Sequence, residues 1–186
     1  NATMASGVDK YQVERTAYEL LVDELPVKEV LISETAGGYD LIAANSDVTA
    51  AEIRLLEFFA REIRLRNALN AVRDQYDYIF IDCPPSLNLL TVNAMSAADS
   101  ILVPMQCEYF ALEGLTALVD TISKLVAVVN PNLTIEGILR TMYDHRNRLS
   151  NDVSDQLKQH FGDKVYRTVI PRNVRLAEAP SFGTPA

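Results

Sequence analysis

The chain has no tryptophan and only 7 glycines and 2 cysteines among its 186 residues, and it opens on Asn1 rather than on methionine. It has no apolar run approaching the roughly 18–20 residues of a membrane span, and no charged n-region with an apolar stretch behind it. Two cysteines, Cys83 and Cys107, cannot staple a chain of this length, and their spacing matches no zinc pattern. His145 and His160 lie far from both in sequence. Collagen-like, disulfide-scaffold and transmembrane classes are thereby excluded. The expectation left is a soluble cytoplasmic protein whose two thiols stay reduced and mostly buried.

What is present fits a globular protein: 48% hydrophobic and 23% charged residues, enough to bury a core. Net charge is −8, which taken alone argues against nucleic acid. The distribution says otherwise. Residues 1–139 hold 9 Lys/Arg against 20 Asp/Glu, whereas residues 140–186 hold 8 against 5. An acidic body carries a basic C-terminal part.

Residues 1–10 are polar and read as a loop. Helical spacing begins at Thr16 and resumes after Pro26, and Gly37-Gly38 then breaks the chain. Tyr39–Ala44 reads as a short strand. From Ala51 to Asp74 the apolar positions follow helical period, giving one amphipathic helix or a pair. Tyr78-Ile-Phe-Ile has no polar alternation and predicts a strand buried on both faces; Ser100–Pro104 and Ile135–Met142 look alike. Glu108–Val129 and Asn151–Phe161 read as helices, and Lys164–Pro171 as a last strand. Strands alternating with helices call for an α/β fold: a mostly parallel sheet with helices on both faces, in one domain over 1–186.

In an open parallel sheet, ligands sit beyond the carboxyl ends of strands. Asp82, directly after Tyr78–Ile81, falls at such an end, where a carboxylate holds a hydrated Mg²⁺ on a nucleotide through water. Pro84-Pro85 forbids further strand pairing and stiffens the exit. Four apolar residues and an aspartate, taken alone, describe a turn or helix-capping aspartate better. Gln106–Tyr109 follows another strand end and reads as structural support. Ser86 has no neighbouring base or nucleophile-elbow glycines, which argues against a hydrolase triad.

Longer stretches carry more information. YDYIFIDCPPSLNLLTVNAMSAAD (76–99), VPMQCEYFALEGL (103–115), RTMYDHRNRLS (140–150) and VIPRNVRLAEAPSFG (169–183) resemble the ParA/Soj partition ATPases of the deviant-Walker-A group. The resemblance runs over essentially the whole chain. It implies a P-loop NTPase-like fold, with Asp82 as the Walker-B carboxylate near Mg²⁺ and Cys83 to Ser86 as the start of a switch segment that includes Pro84. It places Met142, Pro171 and Asn173 around the adenine of ATP, and Arg146 and Arg175 on nonspecific DNA. Both arginines lie in the basic part found by counting charges. For Arg140, Arg148, Arg167 and Arg172 the expectation is ordinary solvated surface or ion pairing. The implied partners are nonspecific DNA, a ParB-type centromere-binding protein and a second copy in an ATP-dependent homodimer, with no membrane and a place on the nucleoid.

The family's glycine-rich KGGxGKT loop is not in this sequence: none of its five lysines follows a glycine, and Gly37-Gly38 precedes tyrosine. The expectation is an incomplete domain, truncated at both ends, with no catalytic group of its own and inactive alone. Two other readings stand beside it: a noncatalytic DNA- or protein-binding module, and a membrane-associated ATPase of the MinD branch.

Overall fold

The computed structural model describes residues 2–84 and 86–183; Asn1, residues 184–186 and Pro85 of the expected switch segment lie outside them. The chain divides into two compact units, one formed by residues up to Ala98 together with those from Arg175, the other by Asp99–Val174.

The Asp99–Val174 unit is built on a parallel sheet of β3 (Ser100–Gln106), β4 (Thr134–Tyr143) and β5 (Val165–Pro171), in that order. Two helices make the crossovers, α7 (Ala111–Val129) and α8 (Arg148–Phe161). Helix α7 stops at Asn130, before Pro131, which cannot continue a helix. Helix α8 starts where the Asn147 side chain accepts the Leu149 N–H, and ends at Gly162, whose φ of +51° suits glycine. Its buried stripe, Ser150, Val153, Ser154 and Leu157, has helical spacing. Leu157 and Val153 meet Leu115 of α7 and Val103, Met105, Ile138 and Val165 of the strands in one core. Strand β3 does not have the double burial expected of it. Val103 and Met105 are buried, while Leu102, Pro104 and Gln106 between and beside them are exposed.

Pairing of β4 with β5 is irregular. Ile138 pairs with Val165 but Arg140 with Val169, so β5 carries two extra residues; Tyr143 then pairs with Pro171, returning one extra residue on β4. Arg140 sits inside the first irregularity and is 4% exposed. Its Nη2 donates to the carbonyls of Tyr166 (2.8 Å) and Arg167 (3.1 Å), and its Nη1 to Ser154 Oγ (2.8 Å). These two carbonyls belong to the bulged stretch of β5, where ladder pairing is interrupted. A buried guanidinium without acceptors is costly, and these two part-buried carbonyls and Ser154 of α8 give this one its partners. The expectation of a solvated or ion-paired Arg140 is therefore corrected: it is a buried pin. On the other side, Gly137 leaves room for the Tyr166 ring, since a Cβ there would lie 2.5 Å from Tyr166 Cε2.

The other unit holds α1 (Ala2–Ala5), α2 (Ala17–Val22), α3 (Val27–Val30), an antiparallel pair β1 (Leu31–Ile32) and β2 (Leu41–Ile42), α4 (Asp47–Leu55), α5 (Arg64–Asn70) and α6 (Leu89–Ala97). Helix α2 opens with a capping box between Thr16 and Glu19, as its S/T-x-x-E pattern requires. Leu20, Val27, Val30 and Val72 form its core. The expected helix or pair over 51–74 is a pair, α4 and α5. Residues 1–10 are not all loop: α1 is one helical turn, fastened where Thr3 Oγ1 donates to the Ala44 carbonyl and accepts the Ala44 N–H. The largest departure is Tyr78–Ile81. It is neither strand nor buried, with Tyr78 80% and Phe80 84% exposed. An all-apolar strand needs ladder partners and cover on both faces, and no described residue gives this segment a strand partner.

Arg140→Ala should leave the part-buried Tyr166 and Arg167 carbonyls without this donor and open a hole between β4 and α8. A loss on the order of 2–4 kcal/mol is expected in urea unfolding, with little change in m-value. A variant as stable as the parent would contradict the pinning role.

Candidate functional site

Parallel pairing puts the carboxyl ends of β4 and β5 side by side, the position where α/β sheets bind ligands. The Arg172 N–H donates to the Tyr143 carbonyl (3.1 Å), closing the two ends on each other. Tyr143 is buried, and its hydroxyl donates to Asn151 Oδ1 at 2.7 Å. Asn151 Nδ2 in turn donates to the His145 carbonyl at 2.9 Å, while the His145 ring stacks edge-on against Tyr143. The loop between β4 and α8 is thus held from the helix side and from the strand side.

At its tip, Asp144 and Arg146 form a closed pair. Asp144 Oδ1 accepts the Arg146 backbone N–H (3.0 Å) and Nε (3.1 Å), and Oδ2 accepts Nη2 (3.2 Å). An aspartate bonded to the backbone two residues on is an Asx turn. The Arg146 side chain is 91% exposed, that of Asp144 only 31%. Hydrogen bonds from the Arg146 side chain and backbone hold the Asp144 carboxyl below the usual aspartate range, and the Arg146 and Arg172 charges add to this. The Arg146 guanidinium is shifted up by the same partner.

Four of the residues expected at a site share this unit: Met142, Arg146, Pro171 and Asn173. Met142, at the extra residue on β4, is exposed and has φ +49°. That backbone conformation costs a non-glycine residue roughly 1–2 kcal/mol and persists because the pairing on either side fixes it. Pro171 is the last residue of β5, and Asn173 follows it, exposed.

The remaining three belong to the other unit. Asp82 and Pro84 are exposed in the stretch after Tyr78–Ile81. Arg175 is exposed on the short helix α9 (Val174–Glu178). Cys83, expected to be buried, is exposed, whereas Cys107 is buried and its thiol is pushed up by that burial. No cation among the described residues pairs with Asp82, and no three His, Cys, Asp or Glu side chains among them gather as a metal group. An exposed, unpaired carboxylate fits a hydrated Mg²⁺ arriving on a nucleotide, not a resident cation. The phosphates are another matter. No lysine of the sequence follows a glycine, so these residues offer no lysine-bearing glycine loop to hold them.

Sequence reasoning passed over two residues here. Asp144 is visible only once the chain turns back on itself. Arg140 looks from the sequence like any arginine in the basic part.

Fold and edge define a class: an α/β protein of the P-loop NTPase-like kind, with an exposed arginine, Arg146, on the loop at the carboxyl edge of its parallel sheet. The AAA domain family model matches residues 1–135. The chain is 50% identical over 185 residues to the sporulation initiation inhibitor protein Soj of Bacillus subtilis, covering 100% of this chain and 73% of that protein. It is also 50% identical over 187 residues to the chromosome partitioning protein ParA of Caulobacter vibrioides, covering 100% and 70%. Among solved structures, cobyrinic acid a,c-diamide synthase of Mycobacterium smegmatis, with bound ATP analog and magnesium, superposes with a TM-score of 0.85 at 33% identity over 97% of this chain and 75% of that one. The chain belongs to the ParA/Soj family of partition ATPases. Among the described residues no helix is long and apolar enough to cross a membrane.

A folded-state carboxyl pKa below the unfolded one stabilises above the unfolded value, and that contribution disappears as pH falls through the folded one. The Asp144–Arg146 turn should therefore loosen only in acid, below the usual aspartate range. Removing the guanidinium in Arg146→Ala should move the Asp144 carboxyl back up, read from its ¹³C shift across a pH titration. An unmoved midpoint would mean that the pair does not form.

Proposed function

We propose that this chain is part of an ATP-dependent DNA-partitioning ATPase, both compact units belonging to one ParA-type domain. In this reading the protein dimerises with ATP, binds DNA without sequence preference and hydrolyses ATP with a ParB-type centromere-binding partner, in the cytoplasm on the nucleoid. The observation that carries the DNA part is the Arg146 guanidinium, exposed at the tip of a braced loop in the C-terminal part of the sequence, residues 140–186, where 8 basic residues stand against 5 acidic ones. Such a group neutralises a phosphate and releases counterions, giving salt-sensitive and sequence-independent affinity. A single loop gives weak binding, and pairing two copies multiplies it, so a nucleotide that controls dimerisation would control DNA binding. Asp82 is assigned to the water shell of Mg²⁺, Met142, Pro171 and Asn173 to the adenine, Pro84 to a switch following the metal carboxylate, and Arg175, like Arg146, to DNA.

The bound group would supply phosphoryl transfer; these residues would position its base and its metal. Without a lysine-bearing glycine loop they leave the phosphates uncradled. The 186-residue chain by itself is accordingly expected to show no magnesium-dependent ATP turnover, and a rate above background from the purified chain would contradict this. Arg146→Ala and Arg175→Ala should each weaken DNA binding about equally on unrelated duplexes and flatten the log–log salt slope by about one unit. A loss confined to one sequence would point to base readout instead.

A further inference from the structure

We infer that Asp144 is a built-in counter-anion of the DNA-contacting edge, setting how readily Arg146 exchanges its own carboxylate for a phosphate. The inference rests on the DNA reading above and extends it to a residue of negative sign. Asp144 occupies the Nε–Nη2 side of the Arg146 guanidinium with both carboxylate oxygens. That side of arginine is suited to taking a phosphate through two parallel hydrogen bonds. A polyanion can engage it only by displacing Asp144, or by approaching the outer edge against the repulsion of a fixed negative charge. Arg172 lies in the field of the same carboxylate, and its backbone is tied to Tyr143 next door. Arg148, the first residue of α8, is paired elsewhere and loosely, 3.9 Å from Asp152.

A brace and a counter-anion predict opposite things. If Asp144 served only to aim Arg146, removing its charge would weaken binding; if it competes with phosphate, the same change strengthens binding. Asp144→Asn separates the two, because the amide oxygen can still accept the Arg146 backbone N–H and keep the turn while the charge is gone. Exposed ion pairs are worth little in water, so the effect expected is modest, about fivefold.

The test is a double-mutant cycle on the purified protein, with fluorescence anisotropy on two mixed-sequence DNA duplexes of unrelated sequence over a range of salt. Asp144→Asn should bind both duplexes about fivefold more tightly, with a steeper salt slope, and most of that gain should vanish when Arg146→Ala is also present. Equal or weaker binding by Asp144→Asn would overturn the inference in favour of a brace. A gain that survives intact in the Arg146→Ala background would overturn it in favour of bulk charge. Should Arg146→Ala bind DNA as the parent does, the DNA reading itself falls and takes the inference with it. A weakened Arg146→Ala with a neutral Asp144→Asn removes the inference alone.

Discussion

One buried guanidinium sets the geometry of the parallel sheet. β5 is longer than the stretch of β4 it faces, and an insertion inside a sheet leaves carbonyl groups without ladder donors. Arg140 supplies those donors from β4 and at the same time holds Ser154 of α8. Its Nε has no partner, a residual cost that the other three hydrogen bonds outweigh. Because the slip is fixed there, the later return of one residue falls at Met142, and Tyr143 arrives opposite Pro171. The strained backbone at Met142 and the closed junction between Tyr143 and Arg172 are both downstream of the pin. The pin acts together with the Arg172 N–H on the Tyr143 carbonyl and with Asn151 on Tyr143 and His145, which hold the strand ends and the loop beyond them.

That loop is where charge is concentrated and governed. A protein of net charge −8 repels polyanions on average, so any contact with a phosphate backbone must be local. The tip of the β4–α8 loop offers such a locality: a rigid base in Tyr143 and Asn151, an outward guanidinium in Arg146, and a carboxylate in Asp144 close enough to restrain it. On the proposed DNA reading, restraint of this kind suits a surface that releases DNA as well as holds it. Weak individual contacts, multiplied by pairing of copies, respond steeply to whatever controls the pairing.

The parts of this fold that could be read from the sequence are those settled by local pattern. The three strands of the parallel sheet, the long helix after β3 and the amphipathic α8 all follow from periodicity, and the Thr16–Glu19 cap from four residues. Tyr78–Ile81 shows the limit. Its composition is that of a buried strand, but composition states a preference and a strand exists only through its neighbours, which no described residue provides. The one-turn helix at Ala2–Ala5 was hidden for the opposite reason, being made by two bonds to Ala44 and not by its own propensity. At the proposed site, Arg146 was named by the family resemblance. The residues that govern it, Arg140 beneath and Asp144 beside, carry no motif, since their roles depend on a strand slip and a turn that only three dimensions reveal.

The central claim is that Arg146 meets DNA phosphates at a strand edge, in competition with Asp144. Arginine side-chain NMR observes this most directly, following Nε–Hε resonances as a mixed-sequence duplex is titrated into the protein. The account predicts that the Arg146 Nε–Hε signal shifts early and alike for two unrelated sequences, while the Asp144 carboxyl resonance shifts with it as its partner is drawn away. An Arg146 signal unmoved at saturating DNA, with the Asp144 carboxyl still in place, would contradict it.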